Sequence, residues 1–147
     1  GEEAIAGDGM VRFVIEIFDD GELVRAVVLQ RLLSAIAFEL LRTDVLARDR
    51  RQAELIDPVA LRRDGDDIFL GDGKLSISIA TKSLVSTLIH FAVNVHNSGT
   101  PVQTASLRDL GVDPESFGQR LLAAFAAEQA SMRLARVQVR AKGESAS

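Results

Sequence analysis

The feature that most constrains the fold is an alternation of apolar and polar residues after a glycine-rich turn. The segment 66–81 reads DDIFLGDGKLSISIAT, in which a Gly–Asp–Gly turn separates two strand-like runs. Two such runs around a tight turn predict a β-hairpin, because a period of two residues is typical of a β-strand. The alternation predicts two faces: Lys74, Ser76, Ser78 and Ala80 on one, and Leu75, Ile77, Ile79 and Thr81 on the other.

The two faces of this segment are expected to have different surroundings. The apolar row should face the core beneath the helices, and the polar row should line the opposite, concave or solvent-facing side. A lysine at the head of the polar row can meet a carboxylate or phosphate as a compact point charge. Serine hydroxyls at alternate positions can hydrogen-bond the rest of a bound molecule. The commoner explanation of this pattern is a strand whose polar side chains simply face water, and both interpretations stay open.

The rest of the chain alternates strand and helix signals. Residues 11–18 are strand-like, residues 22–42 carry apolar residues at helical spacing, and residues 83–95 form a further strand candidate. A last helix is expected from Pro114, favoured at the first helical position, to about Leu134. This order predicts an α+β fold, a mixed and mostly antiparallel sheet with helices packed on one face.

Four shorter segments give weaker signals. The first ten residues are expected to form a loop, and residues 43–65 a short helical piece followed by an irregular connection. Residues 106–111 predict one helical turn closed by Gly111. Residues 137–147 are expected to add a short edge strand and then fray.

Length, charge and composition narrow the class of protein. A chain of 147 residues is expected to form one domain around a single hydrophobic core. Its net charge of −4 argues against a nucleic-acid or anionic-membrane partner that would contact the whole surface. The lack of cysteine excludes cysteine-ligated zinc, and no other metal-ligand spacing stands out. No segment predicts a membrane span or a signal peptide, so a cytoplasmic protein is expected.

Several polar residues near Lys74 are candidates for a ligand site. Asp66 and Asp67 are expected across the hairpin from the lysine, and Asn94 lies near the end of the next strand, where its amide can reach a ligand. His90 stands in an apolar setting, in which a histidine is more often a buried core residue than a catalyst. No serine has the nearby partners of a catalytic triad, and the Gly–Asp–Gly turn lacks the spacing of a phosphate-binding loop.

The block GDDIFLGDGKLSISIATKSLVSTLIHFAVNV, with the later GTPV and LRDLGVDP, closely resembles a known family. It is a family of mainly archaeal proteins catalogued as domain of unknown function 366, and the resemblance covers nearly the whole chain. Members of that family have no assigned activity. Their fold resembles the catalytic core of class II aminoacyl-tRNA synthetases and of biotin/lipoate protein ligases.

The more distant likeness to biotin ligases can be followed along the chain. Those ligases carry an Asn–Asp pair, an apolar strand, a tight turn and an essential lysine, and DDIFLGDGK has that spacing with Asp66 in place of the asparagine. FAVNV lies where they have a Gly-Ile-Asn-Val pattern and retains Asn94. Their lysine approaches the carboxylate of the acid and the phosphate of its adenylate. The resemblance therefore implies charge stabilisation by Lys74, with Asn94 and Asp67 as weaker ligand or support candidates.

Two departures from the ligase pattern matter. The ligases usually have a small residue, often glycine, shortly after the lysine, where this chain has Ser76-Ile77-Ser78. The loop that covers their adenylate would lie upstream of Val11, where this chain has only ten residues. Residues 1–147 are therefore expected to form a single ligase-like domain that lacks an upstream segment of its relatives.

Two classes of function follow as expectations. The first is an enzyme that binds a small carboxylate or its adenylate and transfers an acyl or biotinyl-like group, with ATP as the nucleotide. The second is a relative without catalysis, which serves as a ligand sensor or as a structural module in a homodimer. The residues expected in the site are Lys74 as the catalytic group and Asp66, Asp67, Ser76, Ser78, Asn94 and His90 as ligand-binding groups.

Overall fold

The computed structural model describes residues 2–6, 9–18, 22–48, 56–96 and 104–138. The strands in these ranges are β1 (Glu2–Ala6), β2 (Met10–Phe18), β3 (Leu61–Asp64), β4 (Asp67–Leu70), β5 (Gly73–Lys74), β6 (Ser76–Lys82) and β7 (Ser86–Asn94). The helices are α1 (Leu23–Ala47), α2 (Leu107–Leu110) and α3 (Pro114–Gln138), and a 3-10 turn (Pro58–Ala60) precedes β3.

Four of the strands form the main sheet, in the order β1–β2–β7–β6, and each neighbouring pair is antiparallel. Strands β3, β4 and β5 form a second antiparallel sheet in that order. Helix α1 lies against β6 and β7, while α3 lies against β1 and β2 and also contacts α1. The two helices therefore cover the two halves of one face of the main sheet, which confirms the predicted α+β fold.

The core lies between the helices and the covered face of the main sheet. Phe13 of β2 is fully buried, and its ring centroid lies 5.8 Å from that of Phe91 on β7. The ring of Phe117 on α3 meets Phe13 edge-on at 6.1 Å. Leu33 and Leu41 of α1 are completely buried as well. Each such side chain contributes about 1.5–3 kcal/mol by leaving water, so this packing holds both helices onto the sheet.

All three helices begin close to where they are predicted, and two of them are longer than predicted. Helix α1 continues to Ala47 because Val45, one turn beyond the predicted end, still packs in the core. Helix α3 begins at Pro114, where the Asp113 carboxylate accepts a hydrogen bond from the Ser116 backbone N–H at 2.9 Å. Helix α2 is the single turn that the sequence predicts, and it ends at Gly111 in the left-handed conformation.

Two predictions of local structure are wrong, and a third is contradicted only at its first residues. The first ten residues include β1, and the segment 43–65 includes the end of α1 and strand β3; residues 49–55 lie outside the described residues. Both unpredicted strands lie at sheet edges, where charged residues are tolerated and alternation is weak. Val137 and Gln138 continue α3 instead of starting a strand, and the rest of that tail lies outside the described residues.

The predicted hairpin forms only around its turn. Of the residues after the turn, Gly73 and Lys74 pair with β4, and the chain then crosses to the main sheet. Leu75 is the crossing point, because its N–H donates to the Ile68 carbonyl of the second sheet at 2.8 Å and its carbonyl accepts from the Asn94 N–H of the main sheet at 3.0 Å. Side chains therefore alternate between the two faces within each strand, but this alternation does not continue unbroken from Lys74 into β6.

Candidate functional site

Strand β6 faces the opposite way from the sequence prediction. Ser76 is only 2% exposed, whereas Ile77 and Ile79 are 49% and 58% exposed. In the register of β6 with β7, Ser78 lies opposite the buried Phe91. The serines of β6 therefore face the helices and its isoleucines face outward. The prediction of an apolar inner row and a polar outer row is wrong, because the chain changes sheets at the residue before β6.

A partly buried polar network makes this orientation possible. The side-chain amide of Gln30 on α1 donates to Ser78 Oγ at 2.8 Å and to Asp66 Oδ2 at 3.2 Å. Ser78 Oγ donates to the same oxygen of Asp66 at 2.7 Å. Ser76 Oγ accepts a hydrogen bond from the backbone N–H of Ile68 at 3.0 Å. The two serines and Asp66 thus tie α1, the turn before β4, and β6 together on the helix side of the sheet.

Lys74 lies where the second sheet meets the main sheet. Its Nζ is 3.1 Å from Asp67 Oδ1, and the two side chains are 42% and 30% exposed. Its backbone carbonyl accepts hydrogen bonds from the Ala105 N–H at 3.0 Å and from Asn94 Nδ2 at 3.2 Å. Asn94 therefore fixes the backbone of the lysine. An ion pair this exposed contributes about 0–1 kcal/mol, so another anion can compete with Asp67 for the ammonium.

The predicted site residues do not form one cluster. Lys74, Asp67 and Asn94 lie together at the junction of the sheets, while Asp66 belongs to the network on the helix side of β6. His90 is exposed on the open face of the main sheet, so the interpretation of a buried core histidine is wrong. Its neighbours in the register are small or aliphatic, which explains the apolar sequence around it.

The open face of the main sheet carries a cavity of about 530 Å³, here called the open-face groove. Its floor and walls are formed by the adjacent strands β2, β7 and β6. Met10 of β2 lies at one end of the groove and pairs with Asn94 of β7. Across β2, β7 and β6, one row is Arg12, Ala92 and Ile77, and the next is Val14, His90 and Ile79.

The chemistry of the open-face groove is mainly apolar. Ala92, with 8% exposure, gives a low floor between the larger side chains of Ile77 and Arg12. Among the described lining residues, Arg12 and His90 bring polar side chains that are not committed to the inner network. A groove of this kind can hold an apolar body beside a cation. Sequence reasoning missed it because Ile77 was assigned to the core.

Two other kinds of feature are relevant to the described residues, a metal site and a membrane-spanning helix. No three His, Asp or Glu side chains among them are close enough together to hold a metal ion. No helix within the described ranges is sufficiently long and apolar to cross a membrane.

Comparison with known proteins identifies close relatives. A family model described as "Domain of unknown function (DUF366)" matches residues 1–140. An uncharacterized protein of Methanocaldococcus jannaschii is 36% identical over 109 residues, which are 74% of this chain and 43% of that protein. This chain thus matches less than half the length of that relative. A protein of unknown function from Pyrococcus horikoshi has a structure with a TM-score of 0.76 and 37% identity, over 94% of this chain and 68% of that one.

Two ligase structures share the fold at lower identity. A biotin protein ligase from Leishmania major in complex with biotin is 14% identical with a TM-score of 0.51, over 80% of this chain and 53% of that one. A lipoate-protein ligase A bound with ATP is 19% identical with a TM-score of 0.50, over 81% of this chain and 51% of that one. At such identity the likeness establishes the fold alone. The two ligase structures show that the core has the biotin/lipoate protein ligase fold, and the family match and the archaeal relatives show that this chain belongs to the DUF366 family.

Proposed function

We propose that this protein binds a small carboxylate, or the adenylate of one, in the open-face groove. The observation that carries the proposal is the lining of the groove, in which half-exposed Ile77 faces Arg12 across the low floor at Ala92 and half-exposed Ile79 lies in the next row. An apolar body over this floor would remove both isoleucines from water, at about 25 cal/mol per Å² of apolar surface. The Arg12 guanidinium offers a planar pair of donors that matches a carboxylate.

The lining favours a ligand whose body is hydrocarbon. The backbone groups of β7 are engaged in ladders on both sides, and the Ser78 hydroxyl is bonded within the inner network. A polar ring in the groove would bury donors and acceptors without partners, at a cost of about 1–3 kcal/mol for each group. An aliphatic acid avoids this cost. We therefore expect octanoate to bind more tightly than biotin.

Lys74 is the residue to which we assign the charge chemistry. Met10 lines the groove opposite Asn94, and the Asn94 amide holds the backbone carbonyl of Lys74, so the lysine is anchored near that end. Its ammonium can leave the weak pair with Asp67 and meet the carboxylate or α-phosphate of a ligand. In a transfer reaction with ATP it would offset the negative charge that develops during attack on the phosphate.

The other expected site residues take different parts in this proposal. His90 contacts the ligand from the floor of the groove, and Asp67 holds the ammonium of Lys74 until a ligand binds. Asn94 acts through the backbone of the lysine. Asp66, Ser76 and Ser78 support the strand from the helix side and do not contact the ligand.

Thermal unfolding in the presence of octanoate, lipoate, biotin and ATP tests this function. A ligand at 100 times its dissociation constant should add about 2.7 kcal/mol to the free energy of unfolding. We expect Lys74→Ala to abolish the response while leaving the fold intact. Lys82→Ala is the matched control, because it changes an exposed lysine at the end of β6, and it should respond like the wild type. An unchanged response in Lys74→Ala would refute the role of Lys74, and a flat response of the wild type throughout would refute ligand binding.

Pyrophosphate release separates an enzyme from a sensor. Release that depends on both ATP and the added acid would identify adenylation, the first half of a transfer reaction. Saturable binding of the acid with no pyrophosphate would identify a ligand sensor.

A structural dimerisation module is the second candidate function. It is favoured by the position of β6 at the edge of the main sheet among the described strands, where it exposes Ile77 and Ile79. Sedimentation of the wild type and of Ile79→Ser tests it. A wild-type dimer that the substitution dissociates, together with a flat ligand response, would favour the module over the ligand-binding protein.

A further inference from the structure

A second cavity is present, and it shares no lining residue with the open-face groove. Its volume is about 260 Å³, and it lies between the end of α1 and the start of α3. We call it the α1–α3 corner, and the four charged residues that line it are Asp44, Arg48, Asp113 and Arg120. We infer that this corner binds a small oxyanion of the phosphate class through Arg48.

Arg48 carries the inference because one nitrogen of its guanidinium is buried without an acceptor among the described residues. Nη1 is buried and has no hydrogen-bond partner among the described residues. The guanidinium lies against Gly111, since a Cβ on that glycine would be 3.3 Å from Cζ and Nη2 and 3.5 Å from Nε. Buried donors in folded proteins nearly always have a partner, so an orphaned charged donor beside a cavity indicates an ion that binds there.

The neighbouring charged side chains already have partners of their own. The Asp44 carboxylate accepts from Arg120 Nη1 at 2.9 Å and from Nη2 at 2.8 Å. The Asp113 carboxylate accepts from the Ser116 backbone N–H and caps α3. The positive charge of Arg48 is therefore the one in the corner that no described carboxylate meets. The two carboxylates limit the affinity of the corner for an anion, and neither of them forms a hydrogen bond with Arg48 Nη1.

Arg120 supplies the second set of donors. Its hydrogen bond to Asp44 raises the pKa of Arg120 above its ordinary value, so the guanidinium stays charged. The bidentate pair and the bond from Nε to Ser116 use three of its five N–H groups, which leaves two for another acceptor. Guanidinium groups suit phosphate because their planar forks match pairs of its oxygens. The cavity also has room for a small substituent on the phosphate.

The alternative explanation is that Arg48 only stabilises the C-terminal end of α1. A cation just past the last turn of a helix is favoured by the helix dipole, and Arg48 stands at that position. This role needs no ligand, so it predicts that added phosphate has no specific effect. The two explanations therefore differ in a measurable way.

The test is thermal unfolding in rising concentrations of sodium phosphate, compared with sodium chloride at equal ionic strength. We expect a saturable rise of the wild-type midpoint that chloride does not give, and its loss in Arg48→Gln. Arg42→Gln, which changes an exposed arginine of the same helix, is the matched control and should keep the full response. Glycerol 3-phosphate in place of phosphate shows whether a phosphomonoester binds at least as well as the free ion.

The readout is the shift caused by phosphate, so it does not depend on the basal stability of each variant. Should Arg48→Gln not fold, Arg48→Lys keeps the charge but not the fork, and we expect it to weaken phosphate binding about 10-fold, as the loss of one hydrogen bond to a charged group would. A wild-type response no larger than that with chloride, or an equal response in the Arg48 variant that folds, would overturn the inference. Lys74→Ala should keep the phosphate response, which separates this site from the open-face groove.

Discussion

Replacing Ser78 by alanine should destabilise the protein more than replacing its neighbour Ile79 by serine. The first change removes a hydroxyl that faces the helices, and the second places a hydroxyl on the open face. If the serines of β6 faced water and its isoleucines faced the core, the order of the two effects would be reversed. The pair of variants therefore tests the orientation on which the open-face groove depends.

The expected magnitudes follow from the contacts of each side chain. Ser78 Oγ donates to the Asp66 carboxylate at 2.7 Å, and a hydrogen bond to a charged group contributes about 1.5–3 kcal/mol. It also accepts from Gln30 at 2.8 Å, and Asp66 keeps its bond from Gln30 in the variant. A loss of about 2 kcal/mol results for Ser78→Ala. Ile79 is 58% exposed, so Ile79→Ser should cost about 0.5–1 kcal/mol.

Urea unfolding followed by circular dichroism measures these losses, because the chain contains no Trp or Tyr to report by fluorescence. The urea midpoint should fall in Ser78→Ala with an unchanged slope, which indicates a loss of stability without a change in the surface exposed. A double-mutant cycle with Gln30→Ala should give a coupling energy of about 0.5–1.5 kcal/mol. A larger loss in Ile79→Ser than in Ser78→Ala would refute the orientation of β6.

Two further substitutions test the junction of the sheets and the contact between the helices. Gly73→Ala should cost about 1–3 kcal/mol in urea unfolding, because the added Cβ would lie 2.9 Å from the Thr104 carbonyl carbon. The control is Gly9→Ala, where a Cβ would have nothing within 4 Å and stability should change by about 0.5 kcal/mol or less. Equal effects of the two substitutions would contradict the close packing at Gly73. Arg120→Gln should cost about 1 kcal/mol or less, since its pair with Asp44 is partly exposed, and molar salt should reduce the difference. The hydrogen bond to Asp44 raises the pKa of Arg120, so the stability that the pair contributes is fully present below the ordinary pKa of arginine. The difference in unfolding free energy between wild type and Arg120→Gln should therefore stay constant between about pH 6 and pH 9. A loss of that difference within this range would contradict the contribution of the pair.

The sequence predicted those parts of the fold that depend on local periodicity. The helical spacing in 22–42 and the strand signals in 11–18 and 83–95 correspond to α1, β2 and β7. The turn at 71–73 brought Asp67 and Lys74 together, because both residues lie within a few positions of it. Local patterns determine such contacts with little help from the rest of the chain.

The facing of β6 could not be predicted from its own alternation. Isoleucine and serine alternate in either orientation, and the covered face is set by where the chain crosses between sheets, at Leu75. One signal was present elsewhere, since Gln30 interrupts the apolar stripe of α1 and is the partner of the inward hydroxyl of Ser78. The open-face groove depends on the register of three strands that are distant in sequence, so local patterns could not reveal it.

Methyl NMR of isoleucine-labelled protein during titration with octanoate tests the central proposal most directly. Ile77 and Ile79 line the open-face groove, whereas Ile15 and Ile68 are fully buried in the core and serve as internal controls. We predict saturable shifts of the Ile77 and Ile79 methyl signals at octanoate concentrations that leave the two controls unchanged, and a loss of these shifts in Lys74→Ala. Octanoate binding that leaves both groove methyls unmoved, or no saturable binding at all, would contradict it.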